Sequence, residues 1–214
     1  MELNIVGQIA VYALPVVFAI TLHEAAHGYV AKHFGDTTAY MLGRVSLNPL
    51  RHIDPIGTIL IPILTLLMGG ILFGWAKPVP VNFSHLRNPK KDMLWVALAG
   101  PASNLAMALG WGLMMKIAVM MPDSALSLPL GLMGRAGVTI NVVLMVLNLL
   151  PLLPLDGGRI AVSLLPHHLA YRYAMLEPYG MIVLVVLLFS GVLGTIMGPL
   201  INVMMALIAL LFGI

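Results

Sequence analysis

The chain has 214 residues, of which 60% are hydrophobic and 9% charged, whereas soluble domains carry about a quarter charged residues. With a mean hydropathy of +1.01, this composition places the chain in a lipid bilayer and leaves no polar stretch long enough for a separate soluble domain. The net charge of +3 comes from 11 Lys+Arg dispersed in short loops, without the basic-aromatic face that a nucleic-acid partner requires. The absence of cysteine excludes disulfides, thiolate catalysis and thiolate zinc sites.

A helical crossing needs about 20 apolar residues, and the candidates are residues 3–34, 55–76, 93–121, 136–155 and 178–214. The first is preceded by Glu2 instead of a positive stretch, so it is expected to remain in the mature chain rather than be cleaved as a signal peptide. Within it, after the uncharged run from Leu3 to Leu22, comes His-Glu-Ala-Ala-His at residues 23–27. On a helix His23 and His27 lie about 40° apart and one turn removed, which makes a two-toothed metal clamp. Glu24 falls about 60° from His27 on the same side, placed to meet a water at the metal as general base. An ionisable group costs about 2.5 to 3.5 kcal/mol at the centre of a span, so this cluster reads as functional. His33 points to another face of the helix, and His52, His85, His167 and His168 read as solvated or structural loop residues.

Beyond the motif, residues 43–50 and 75–82 alternate in the manner of short strands, with Pro78 and Pro80 confining the second to an edge. Lys32, Arg44 and Arg51 precede the 55–76 segment, and Lys77, Arg87, Lys90 and Lys91 follow it. If both basic loops are cytoplasmic, this segment enters and leaves on one side, bending near Pro62 or Gly69-Gly70. The last apolar run is too long for one crossing and is expected to fold back between Ser190 and Pro199. The fold expected is an all-α polytopic bundle of about five to six transmembrane or re-entrant helices with short membrane-associated β strands near the site.

A catalytic zinc takes three protein ligands and one open position. The third candidate is Asp156, in the stretch from Asn148 to Ile160, NLLPLLPLDGGRI, where Pro151 and Pro154 break the helix and Gly157-Gly158 lets the backbone turn closely. Taken alone, the same stretch reads equally well as a helix end with an Asp-Gly turn.

HEAAH in a first span, AGPASN at 99–104 and NLLPLLPLDGGR thereafter resemble, in that order, the site-2 protease family of intramembrane zinc metalloproteases. The resemblance covers residues 10–165 and implies one zinc held by His23, His27 and Asp156, with Glu24 activating water. It further implies that Asn148 helps to hold the substrate or its developing oxyanion and that Asn104 has a structural or substrate-positioning role. The expectation is a single metalloprotease domain over residues 1–214, with a catalytic core over 1–165 and a C-terminal helical hairpin over 178–214. This would be a compact member with no room for a PDZ or nucleotide-sensing domain. Its substrate would be a transmembrane protein in a prokaryotic plasma membrane, cut toward the cytoplasmic side. A metal transporter or sensor, or an inactive client-binding homologue, are the alternatives.

Overall fold

The computed structural model describes residues 5–61, 64 and 74–214. Helix α1 (Ile5–His33) carries the His-Glu motif in its second half. It ends in a Schellman turn: Asp36 N–H donates to Ala31 O at 3.0 Å and Gly35 N–H to Lys32 O at 3.2 Å, with Gly35 at φ +112°. A short helix, α2 (Thr38–Met41), and a 3-10 turn (Pro49–His52) follow. After an extended passage come α3 (Pro89–Met120), with proline at its first position, and α4 (Ser127–Asn148), its most extensive partner. The chain closes with α5 (Asp156–Leu164), α6 (His167–Ala174), α7 (Glu177–Phe189) and α8 (Val192–Phe212).

Three of these helices, α3, α4 and α8, are long and apolar enough to cross a membrane, and the pair α6–α7, bent by 63°, would make a fourth. In α1, residues 5–22 are uncharged as well. The last apolar run breaks at Ser190–Gly191, where Gly191 takes φ +77°. That is the front edge of the expected turn, and Gly194, Gly198 and Pro199 lie inside α8. The fourth run also differs from expectation: its helix starts at Ser127, ends at Asn148 and leaves 149–155 as a bend with a cis Leu153–Pro154 peptide.

The described residues contain no β strand, which corrects the expectation for 43–50 and 75–82. Their backbone groups are claimed elsewhere. Gly43 turns the first segment at φ +63°, and Asn48 caps the 3-10 turn by accepting from Leu50 N–H at 3.0 Å. The second is extended, but two of its amides go to side-chain carboxylates: Val79 N–H to Glu24 and Asn82 N–H to Asp36, both at 2.7 Å. Pro78 and Pro80 remove two donors from this segment and the carboxylates of Glu24 and Asp36 take two more, which leaves too few for a ladder.

The ends of the 58–74 stretch meet. Trp75 N–H donates to Gly57 O at 2.9 Å, Thr58 Oγ1 to Trp75 O at 2.9 Å and Lys77 N–H to His52 O at 2.9 Å. A single crossing would set such ends about 30 Å apart, whereas here they lie side by side; the bends expected near Pro62 and Gly69-Gly70 fall outside the described residues.

Two cores flank the site. Val138, Val142, Met145 and Val146 of α4 pack with Ala108, Leu184, Met197 and Ile208, while Ala31, Leu86, Met93 and Val96 form a smaller cluster at the far end of α1. Between apolar helices in lipid it is close van der Waals contact rather than water exclusion that holds such clusters.

Candidate metal centre

His23 and His27, one turn apart on α1, are both buried, and both imidazoles are held from behind. His23 Nδ1 lies 2.6 Å from Asn104 Oδ1 and His27 Nδ1 2.7 Å from Val96 O, both acceptors on α3. An oxygen that only accepts places the proton on each Nδ1 and leaves each Nε2 with a lone pair. The two Nε2 atoms stand 3.1 Å apart. Asp156, at the start of α5, brings Oδ2 to 3.2 Å from His23 Nε2 and Oδ1 to 3.3 Å from His27 Nε2.

With both imidazoles neutral, the inward atoms are acceptors facing one another, and Asp156 Oδ2 is buried without a hydrogen-bond partner. Such an arrangement is repulsive unless a cation sits among the three. Tetrahedral zinc with bonds of about 2.0–2.1 Å to nitrogen and oxygen sets its ligands about 3.3 Å from one another, which is the spacing found here. Two imidazoles and a carboxylate fit zinc, and a metal-binding group of these three residues is all that the described residues offer.

Close helix approach makes the cradle. A Cβ on Gly100 would lie 2.4 Å from His27 Nε2 and 2.5 Å from His23 Cε1, so α3 can back the imidazoles only because residue 100 lacks a side chain. On the other wall, a Cβ on Gly157 would meet Leu150 O at 2.3 Å and one on Gly158 would meet Leu153 N at 2.6 Å. The glycine pair thus lets α5 start directly beneath the 149–155 bend, aiming Asp156 at α1.

A cavity of about 260 Å³ opens in front, lined by His23, Glu24, His27, Val79, Asn148 and Asp156 among others. Glu24 accepts from Val79 N–H through Oε2 and leaves Oε1 without a partner among the described residues. Asn148 reaches the cavity wall, with Nδ2 donating to Leu144 O at 2.9 Å. Asn104 is fully buried behind His23 and off the cavity wall. Arg159 stands at the cavity edge, paired with Glu177, its guanidinium 5.3 Å from the Phe83 ring centre. His33, His167 and His168 are exposed, and His52 is buried with Nε2 2.9 Å from Ser46 O; none of them joins the cluster.

Gly100, the Val96 carbonyl and the Val79 amide are parts of the site that sequence reasoning missed. Gly100 stands inside AGPASN, but a glycine's reason for being there is an interhelical distance, and the two backbone groups have no residue-type signal at all.

No family model matches the chain, nor does any solved structure. Among curated proteins, YwhC of Bacillus subtilis, provisionally named a zinc metalloprotease, is 40% identical over 192 residues, 88% of this chain and 84% of that protein. Rip2 of Mycolicibacterium smegmatis, named in the same way, is 31% identical over 195 residues, 89% of this chain and 71% of its own length. Rip2 of Mycobacterium tuberculosis is 30% identical over 165 residues. With its three metal donors joined at one point and this identity over most of its length, the chain belongs to the zinc metalloprotease family of YwhC and Rip2.

Proposed function

We propose that this metalloprotease is an intramembrane endopeptidase of the site-2 type, hydrolysing peptide bonds within or beside transmembrane segments of protein substrates. The carrying observation is that three inward metal donors and the Glu24 carboxylate share one cavity inside a bundle of apolar helices. By the positive-inside rule the cavity opens toward the cytoplasmic side, where Lys32, Arg44, Arg51 and Lys77 collect.

Zinc, when bound by His23, His27 and Asp156, supplies Lewis acidity toward a carbonyl oxygen and toward water. Glu24 takes the proton of the attacking water and later returns it to the leaving amine. Asn148 offers the amide hydrogen not bonded to Leu144 to the substrate oxygen as negative charge develops. A transmembrane helix hides its carbonyls in intrahelical bonds and must unwind locally. The extended segment 75–82 can receive the unwound strand, because both backbone groups of Val81 are without partners among the described residues and Val81 lies on the cavity wall.

A membrane reporter in proteoliposomes tests this reading. Glu24→Gln is expected to keep zinc and fold while cleavage falls about 10²- to 10⁴-fold, the usual contribution of a general base. Cleavage at the wild-type rate would overturn the assignment. Zinc flux across the vesicle without cleavage by wild type would point to a transporter.

A further inference from the structure

The two metal-facing histidines are oriented by different kinds of acceptor. His27 Nδ1 faces the backbone carbonyl of Val96, whose polarity is fixed. His23 Nδ1 faces the side-chain amide of Asn104, which can present oxygen or, turned over, an NH₂ group. Turned over, Asn104 would force the proton of His23 onto Nε2 and cancel its lone pair toward the metal. Something must hold that amide in register.

Asn141 of α4 supplies the constraint. Its Nδ2 donates to Gly137 O at 2.9 Å, and its Oδ1 accepts from Asn104 Nδ2 at 2.9 Å. Because the Gly137 carbonyl can only accept, Asn141 must turn its NH₂ toward Gly137 and its oxygen toward Asn104. Asn104 then must turn its NH₂ toward Asn141 and its oxygen toward His23. The contact from Asn104 Nδ2 to Ala19 O agrees in sense but is longer, at 3.3 Å. Asn104 and Asn141 are both 0% exposed, so no water can substitute for a mismatched partner, and reversing either amide would set like groups against each other at two contacts. Neither residue touches the cavity.

We infer that Asn141 is a positioning residue of the metal centre, locking through Asn104 the tautomer in which His23 presents Nε2 to the metal. A polar chain thus runs from the backbone of α4 through α3 to α1. The consequence for zinc affinity rests on the metalloprotease reading; the tautomer lock does not.

The test uses the full chain purified in detergent, with two readouts. Imidazole ¹⁵N shifts of the metal-free protein report the His23 tautomer, and competition with a chromophoric chelator reports the zinc dissociation constant. In wild type His23 is expected as the Nδ1–H form. Asn141→Leu, with Asn141→Ala beside it in case the bulkier side chain does not fold, is expected to give mixed tautomers and zinc binding weaker by about 10- to 100-fold, the usual loss for groups behind a ligand. Asn104→Asp makes the argument sharp, since a carboxylate presents oxygen to His23 whichever way it turns. Adding an Asn141 substitution to Asn104→Asp should therefore weaken zinc binding no further. Equal losses in both backgrounds would show that Asn141 acts by packing, and a wild-type tautomer and affinity in the Asn141 variants would overturn the lock. Wild type that binds no zinc would contradict the proposed function, while the ¹⁵N spectrum would still decide for or against the lock.

Discussion

At Gly100 one missing methyl group decides whether the centre can exist. A Cβ there would sit 2.4 Å from His27 Nε2 and 2.6 Å from His23 Nε2, at a buried point where α3 packs against α1. Gly100→Ala is therefore expected to weaken zinc binding by at least about 100-fold, more than loss of an outer hydrogen bond, while helix content, measured by circular dichroism, holds. Asp36 makes a different residue-scale case, beyond the end of α1. It is 0% exposed; burial opposes its charge, but the hydroxyl and amide of Thr38 and the amide of Asn82 outweigh that cost, so its pKa lies below the ordinary carboxylate value. A depressed pKa contributes stability that is fully present above about pH 4, the unfolded value, and is lost as pH falls through the folded one. Thermal melts of wild type should therefore weaken on acidification below about pH 4. Asp36→Asn should already be less stable at neutral pH, by about 1–3 kcal/mol, with a smaller acid response. That His23, Glu24, His27 and Asp156 gather at one cavity was legible in the sequence, because helical spacing and an acid next to a Gly pair are local signals. Asn141 was not, because an asparagine in an apolar helix shows its role only when the neighbouring helices are in place.

Among the elements, the passage from 75 to 82 departs most from a reading by pattern. Its alternation suggested a strand, and the passage is indeed extended, yet beyond the backbone bonds of Trp75 and Lys77 its partners are side chains: Glu24 at Val79, Asp36 at Asn82 and Arg44, whose Nη2 donates to Lys77 O at 3.0 Å. Alternation reports that successive side chains face opposite ways, but it cannot say whether a neighbouring strand exists to pair with. This passage also holds Glu24, the carboxylate proposed as general base, which gives a prediction at its own scale. Val79→Pro deletes the single N–H that meets Glu24. Zinc content should be unchanged, while turnover of a membrane reporter falls about tenfold, the equivalent of one hydrogen bond of roughly 1.4 kcal/mol. Unaltered turnover would mean that Glu24 needs no such support.

Over the whole molecule, the metal donors come from elements far apart in sequence, the second half of α1 and the start of α5, which meet at one point. Apolar run lengths predicted the long helices well, since lipid thickness sets them; the helix end at Asn148 was missed because the following leucines and prolines are equally apolar whether helical or not. The topology is testable directly, as the chain contains no cysteine. Single cysteines at Ser46 and Ser84 should be labelled by an impermeant reagent from the same side of sealed vesicles, and one at Asp123 from the other. The central claim, one zinc held jointly by α1 and α5, is tested most directly by elemental analysis of detergent-purified protein, comparing wild type with His23→Ala and Asp156→Ala. The account predicts one zinc per chain in wild type and its loss from both variants; zinc retained without Asp156, or an active, folded wild type that carries none, would contradict it.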